Sequence, residues 1–400
     1  MHVGAPSAAA FAPSVYQKPL FRLVAADGSP FPPLPTAVDW DGVARQARLH
    51  RLEPLLYAAL RDEDCLPSDI EAEWREAYLT TALRNAVALR ALDAVVARLA
   101  DAGIPVIVLK GAALAQTVYG NVALRPMHDL DVLVHPAHAA RALQALASLG
   151  FRRLWDEPRH GAEAAYESHT SLINSAEMGV ILELHWGLID SPYYQSRLRT
   201  DWFWATARPL RAGQSQPLIL GASAQILYLC AHLLLHHSGA PDGHLLWLND
   251  IAACVSHDGD AIDWDAILAQ AQRDDLVIAL QRTLPRIATE FGAPVPPAAL
   301  TRLAALRPTR AERRIVARLT LAHRPVGQRF WDDLTTFSDW PRRIGFATAN
   351  LFPSQAYMRW RYGIAHPALT PLYYPYRWWL GLRSLTEPSA PPVSDAEEAR

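Results

Sequence analysis

The chain has 400 residues, half of them hydrophobic and a fifth charged, with a formal net charge of −2 and a pI of about 6.7. That length and balance can bury a core without disulfides or a structural metal, as one large domain or two to three packed small ones. Near-neutral charge excludes a general attraction to nucleic acid or anionic lipid; a local basic patch stays open, because arginine greatly outnumbers lysine.

Residues 1–35 are rich in Ala, Ser and Pro and read as an extended arm. From Trp40 the apolar spacing turns helical, and a long helix is expected over residues 67–100, stopping at Gly103. At Ile104 the character changes. IPVIVL reads as a buried strand, GAALAQTVYG as a helix opening straight after it, and DLDVLV as a second strand. A helix over residues 136–149 and a short strand at FRRLW follow. HTSLINSAEMGVILELHW then reads as a hairpin. Beyond Ser223 the chain is helical again, with AQILYLCAHLLLHHSG, LLWLNDIAACVSHDG and WDAILAQAQRDDLVIALQRTLPRIATEFG as helices. An aromatic, Arg-rich stretch precedes a disordered acidic tail at residues 386–400. The expected fold class is α+β: a small mixed sheet over residues 104–210, between helical regions at 36–103 and 211–385.

Asp129 and Asp131 are one residue apart in a strand, so both carboxylates emerge on one face. Two ionised carboxylates this close repel, and a divalent cation is the natural remedy. On another strand Glu183 and His185 share a face. If the strands pair, three carboxylates can hold one or two Mg²⁺, or Mn²⁺, ions. A lone Asp-x-Asp can equally be a solvated strand edge. What sets this one apart is the preceding strand–Lys–Gly–helix turn. There Lys110, Gly111 and Ala112 would meet phosphate oxygens, Gly111 by allowing close approach and Lys110 by its charge. Arg125 is a second phosphate or acceptor contact, or else a surface arginine.

The block LKGAALAQTVYGNVALRPMHDLDVLV resembles the uncharacterised nucleotidyltransferase family of the polymerase-beta-like superfamily. ILELHW resembles its Glu-x-His-Trp strand; LLLHHSG, LLWLNDIA and LFPSQAYMRWRYG resemble its later segments. The resemblance implies a nucleotidyltransferase fold with Asp129, Asp131 and Glu183 as metal ligands. Where the wider superfamily has Gly-Ser at the turn, this chain has Lys110-Gly111-Ala112, so one phosphate contact must be replaced.

His232, His236 and His237 share a helix, the first two one turn apart. Such a pair can bind zinc, but cleft lining or core hydrogen bonding is favoured. Asp250 would pair with one of them or bridge helices, and His185 would orient a ligand or touch the nucleotide. Trp247, Trp378 and Trp379 read as packing residues; the aromatic C-terminal stretch could otherwise lie on a membrane or a partner.

Cys65, Cys230 and Cys254 show no metal-ligand spacing and suit free thiols in a reducing cytoplasm. The N-terminus lacks a signal-peptide pattern, and no apolar run reaches the roughly 18–20 residues of a membrane span. The expected activity is transfer of a nucleoside monophosphate from an NTP, ATP foremost, to a hydroxyl of a small molecule, sugar or peptide. No stable nucleic-acid binding is expected. Phosphoryl transfer on the same fold, or a non-catalytic nucleotide-binding module, stays open.

Overall fold

Asp39 accepts the Gly42 N–H and so caps α1 (Trp40–His50) in a computed structural model, which describes residues 38–175, 179–211, 217–236, 245–321, 326–337 and 339–383. The expected arm and tail, and His237, lie outside these. Pro54 sits in the first turn of α2 (Glu53–Leu60), where its missing N–H costs nothing. α3 (Ser68–Asp101) starts with Asp69 and Glu71 against its dipole and stops at left-handed Gly103, where the Ile104 N–H returns to Leu99 O at 2.9 Å.

The α/β region follows: β1 (Ile107–Val108), α4 (Lys110–Gln116), β2 (Asp129–Leu133), α5 (Ala139–Ala147), β3 (Arg152–Arg153), α6 (Ala162–Tyr166), β4 (His169–Asn174) and β5 (Val180–His185). Then come α7 (Pro192–Arg197), α8 (Asp201–Ala205), β6 (Arg208–Pro209) and β7 (Leu218–Ile219). The seven strands form one sheet in the order β3-β4-β5-β2-β1-β7-β6. β2 pairs parallel with β5, and β1 with β7; the other neighbours are antiparallel. IPVIVL yields only a two-residue strand, and the sheet runs on to Ile219, past residue 210.

The helical half comprises α9 (Ala222–Leu235), α10 (Leu245–Asp258), α11 (Trp264–Asp274), α12 (Val277–Glu290), α13 (Pro297–Ala305), α14 (Arg310–Leu319), α15 (Val326–Thr336), α16 (Trp340–Leu351), α17 (Gln355–Tyr362) and α18 (Thr370–Arg383). The segment read as one helix from Trp264 is two, broken at left-handed Asp275. Its buried carboxylate takes Tyr193, Arg197 and Thr309, a set of partners no continuous helix would satisfy.

The sheet separates two apolar cores. Val108, Leu130, Val132, Leu182 and Leu184 pack with α3 and α5 on one face. Ile107 and Leu133 pack on the other, with α1, α2 and the helices from α9 to α14. Full burial of each such side chain stabilises by roughly 1.5–3 kcal/mol. The architecture is α+β, a mixed sheet flanked by helices.

Candidate active site

β2 and β5 lie side by side with Asp131 opposite Glu183 and Leu133 opposite His185. β4 continues the rows, with Ser171 opposite Glu183 and His169 opposite His185. Paired residues share a face. One sheet face therefore carries Asp129, Asp131, Glu183, His185, His169 and Ser171. The residues alternating with the acids, Leu130, Val132, Leu182 and Leu184, go into the opposite core.

Lys110 stands over these acids. It is one of only two lysines in the chain, and its backbone is left-handed, with φ 44°. A non-glycine residue there costs roughly 1–2 kcal/mol. The conformation directs Nζ into the acidic row: it donates to Asp131 Oδ1 at 2.8 Å and lies 3.8 Å from Glu183 Oε2. A compact ammonium fits between carboxylates where a guanidinium fork would not. His185 Nε2 is 3.0 Å from Asp131 Oδ1 and 3.3 Å from Glu183 Oε2. Two acceptors on that nitrogen place its proton there, so His185 orients the acids. His169 stacks on His185 at 4.9 Å, with Nε2 3.9 Å from Glu183 Oε1.

The charges follow this geometry. Burial alone would raise Asp131, but Lys110 and His185 outweigh it and hold the carboxyl well below the usual range. Glu183 is likewise lowered despite burial, through His185 and Lys110. Asp129 goes the other way: burial first, then Asp131 and Glu183, push it up to about 7. The bonds to Asp131 and Glu183 raise His185 against its own burial. Asp131, Glu183 and His185 each offer a ligand atom within 4.8 Å of the others. Carboxylate oxygens suit a hard divalent cation, and an imidazole nitrogen is tolerated by Mn²⁺. The Lys110 ammonium shows that positive charge is accommodated at these oxygens.

The turn departs from expectation. Gly111 and Ala112 are buried, and the close approach that Gly111 allows is taken by protein: a Cβ there would collide with Arg125 Nη1 and lie 2.9 Å from Met127 Cγ. Arg125 is not a surface arginine. It is buried and donates to Asp250 Oδ2 at 2.8 Å and to Pro126 O at 3.1 Å. Asp250 also accepts the Tyr119 hydroxyl at 2.8 Å, and Asn249 donates to that hydroxyl at 2.8 Å. Asp250 thus bridges helix to turn through Arg125. Arg125, committed to these bonds, packs against the Lys110–Gly111 turn.

Tyr228 and His232 on α9, and His236 at its C-cap, follow one another at four-residue spacing. The His232 and His236 rings stack at 4.7 Å, and Trp247 meets His232 edge-on at 5.9 Å. His236 Nε2 accepts the Asp190 N–H at 3.2 Å. Sequence reasoning missed Tyr228 and His169. Tyr228 is buried, its hydroxyl without a hydrogen-bond partner among the described residues, within the fields of Lys110, Asp131, Glu183 and Asp129. Its place one turn before His232 was the available signal; for His169 it was the hairpin register opposite His185. Beyond His169 and Ser171 opens a cavity of about 330 Å³, also lined by Glu167, Asp190, Tyr357 and Trp360.

A family described as uncharacterised nucleotidyltransferase matches residues 36–291. No curated protein matches the chain. The matched span holds the whole sheet, the acidic row and α9. With well over half its length accounted for in this way, the chain belongs to the uncharacterised nucleotidyltransferase family.

Proposed function

We propose that the protein uses Mg²⁺ to transfer a nucleoside monophosphate from an NTP, ATP foremost, to an acceptor hydroxyl, releasing pyrophosphate. The single observation carrying this reading is the register of β2 and β5, which sets Asp131 against Glu183 with Asp129 on the same face. Asp129, Asp131 and Glu183 would hold the metal. When bound, Mg²⁺ supplies charge neutralisation at the phosphates and acidifies the acceptor hydroxyl.

The chain's own groups do the rest. Lys110, on a flexible four-carbon stem, turns from Asp131 to the negative charge of the triphosphate. His185 keeps the Asp131 and Glu183 carboxylates in orientation. The acceptor oxygen attacks the α-phosphorus while its proton passes to a carboxylate of the row. The bond from the α-phosphorus to the bridging oxygen breaks, and pyrophosphate leaves. The 330 Å³ cavity bordered by His169 and Ser171 seats the acceptor. That volume suits a small molecule, a sugar or a peptide end rather than long nucleic acid.

The test is product analysis with α- and γ-labelled ATP and a panel of acceptors. Acceptor labelled only from the α position supports the proposal. Label only from the γ position would replace it with phosphoryl transfer. Metal-independent ATP binding without product would make the chain a binding module. Asp129→Ala combined with Asp131→Ala is expected to abolish turnover with the fold retained; undiminished turnover would remove the mechanism.

A further inference from the structure

The last helix of the described residues is turned inside out. In α18, Leu372, Tyr376, Trp379 and Leu382 recur at helical spacing on one side, and they are 69 %, 46 %, 51 % and 66 % exposed. The opposite side is polar and engaged. Arg377 donates to Asn350 O at 3.0 Å and to the Tyr362 hydroxyl at 3.4 Å, with its guanidinium 5.5 Å over Tyr357. A surface helix ordinarily shows the reverse arrangement. The apolar face continues onto α16: Trp378 meets exposed Phe352 edge-on at 5.2 Å, and its indole N–H binds Leu351 O at 2.7 Å. Trp340, Ile344 and Trp360 are exposed in the same segment. An apolar surface of this extent marks an interaction site.

Charge selects the occupant. Residues 340–383 contain six arginines and neither Asp nor Glu, in a chain of formal net charge −2. Arg359, Arg361 and Arg383 are exposed, and the Arg383 guanidinium lies 5.2 Å over Trp379. A second copy of this face would bring arginines against arginines in an apolar seam, which is unfavourable. An anionic bilayer supplies the missing negative charge. It also takes Trp and Tyr at headgroup level and Leu below them. No helix of the described residues is long and apolar enough to cross a membrane, so the contact is with the surface.

We propose that α16 to α18 form a docking face for an anionic phospholipid bilayer, with Leu372, Trp379 and Leu382 inserted and the exposed arginines on lipid phosphates. The inference does not rest on the chemistry assigned to the acidic row; Trp360 borders both this segment and the cavity beside His169.

The test uses the full-length protein with vesicles of phosphatidylcholine alone, and of phosphatidylcholine mixed with phosphatidylglycerol. Co-sedimentation with the mixed vesicles, a blue shift of tryptophan emission and weakening by salt are expected. Leu372→Ser with Trp379→Ser should lower partitioning about tenfold or more. Arg359→Gln with Arg361→Gln should lower it by about tenfold and flatten the salt dependence. Circular dichroism confirms the fold of each variant, and the arginine pair serves as the second probe should the apolar pair misfold. Absence of sedimentation with either vesicle, or equal binding to both, would overturn the proposal. So would a dimer in ultracentrifugation that Leu372→Ser with Trp379→Ser dissolves, which would assign the face to a second copy.

Discussion

Arg125 lies directly over Gly111, its Nη1 in the space a Cβ would need. Gly111→Ala must push that guanidinium off Asp250 or shift the turn. Overpacking of this kind costs about 1–3 kcal/mol. Asp250→Ala leaves a buried, uncompensated arginine and is expected to cost about 3–5 kcal/mol. The double variant should cost less than the sum, because both break one contact. Urea denaturation of the four proteins measures this.

Asp129 should leave a signature in the pH dependence of the metal-free protein. Its folded carboxyl titrates at about 7 against an ordinary 3.8. The raised value means that the protonated form is favoured on folding. That stabilising contribution is fully present below pH 3.8 and is lost as pH rises to about 7. Asp129→Asn removes this dependence. With chelator present, the Tm difference between Asp129→Asn and the parent should grow in favour of the variant from pH 4 to pH 7. A flat difference would show that neither burial nor the charges of Asp131 and Glu183 act on Asp129.

Added Mg²⁺ should reverse that repulsion. At a hundredfold over its Kd, a ligand confined to the native state adds about 2.7 kcal/mol. Thermal melts in chelator and in Mg²⁺ are expected to separate accordingly. Asp131→Asn should abolish the separation. It should also weaken the metal-free protein by roughly 3–5 kcal/mol, because Lys110 and His185 lose a shared counter-charge.

Tyr228→Phe separates structure from function. The buried hydroxyl has no hydrogen-bond partner among the described residues, so its removal relieves about 1–3 kcal/mol of desolvation rather than costing stability. A higher Tm together with a fall in kcat/KM of about tenfold is the expected result. An unchanged kcat/KM would reduce Tyr228 to packing.

The period-two alternation in DLDVLV and VILELH was enough to place Asp129 with Asp131, and Glu183 with His185. The sequence did not reveal that β5 docks beside β2. That pairing joins residues 52 positions apart, with β4 paired along β5 and α5 packed on the shared core. The aim of Lys110 was equally hidden, since a left-handed lysine is imposed by tertiary context and not by propensity. Gly111 was legible as a place of close approach, but the approaching group was the protein's own Arg125. The break at Asp275 was invisible because it depends on Tyr193, Arg197 and Thr309 from distant segments.

Because β7 and the Tyr228 helix come from the chain after residue 210, the acidic row and its ceiling are built by different stretches of polypeptide. A fragment ending there would surrender a central strand's neighbour and bare the row to water. Domain-swap or minimisation experiments should therefore cut no earlier than the end of α12. The roof cannot be exchanged for another without rebuilding the hearth beneath it.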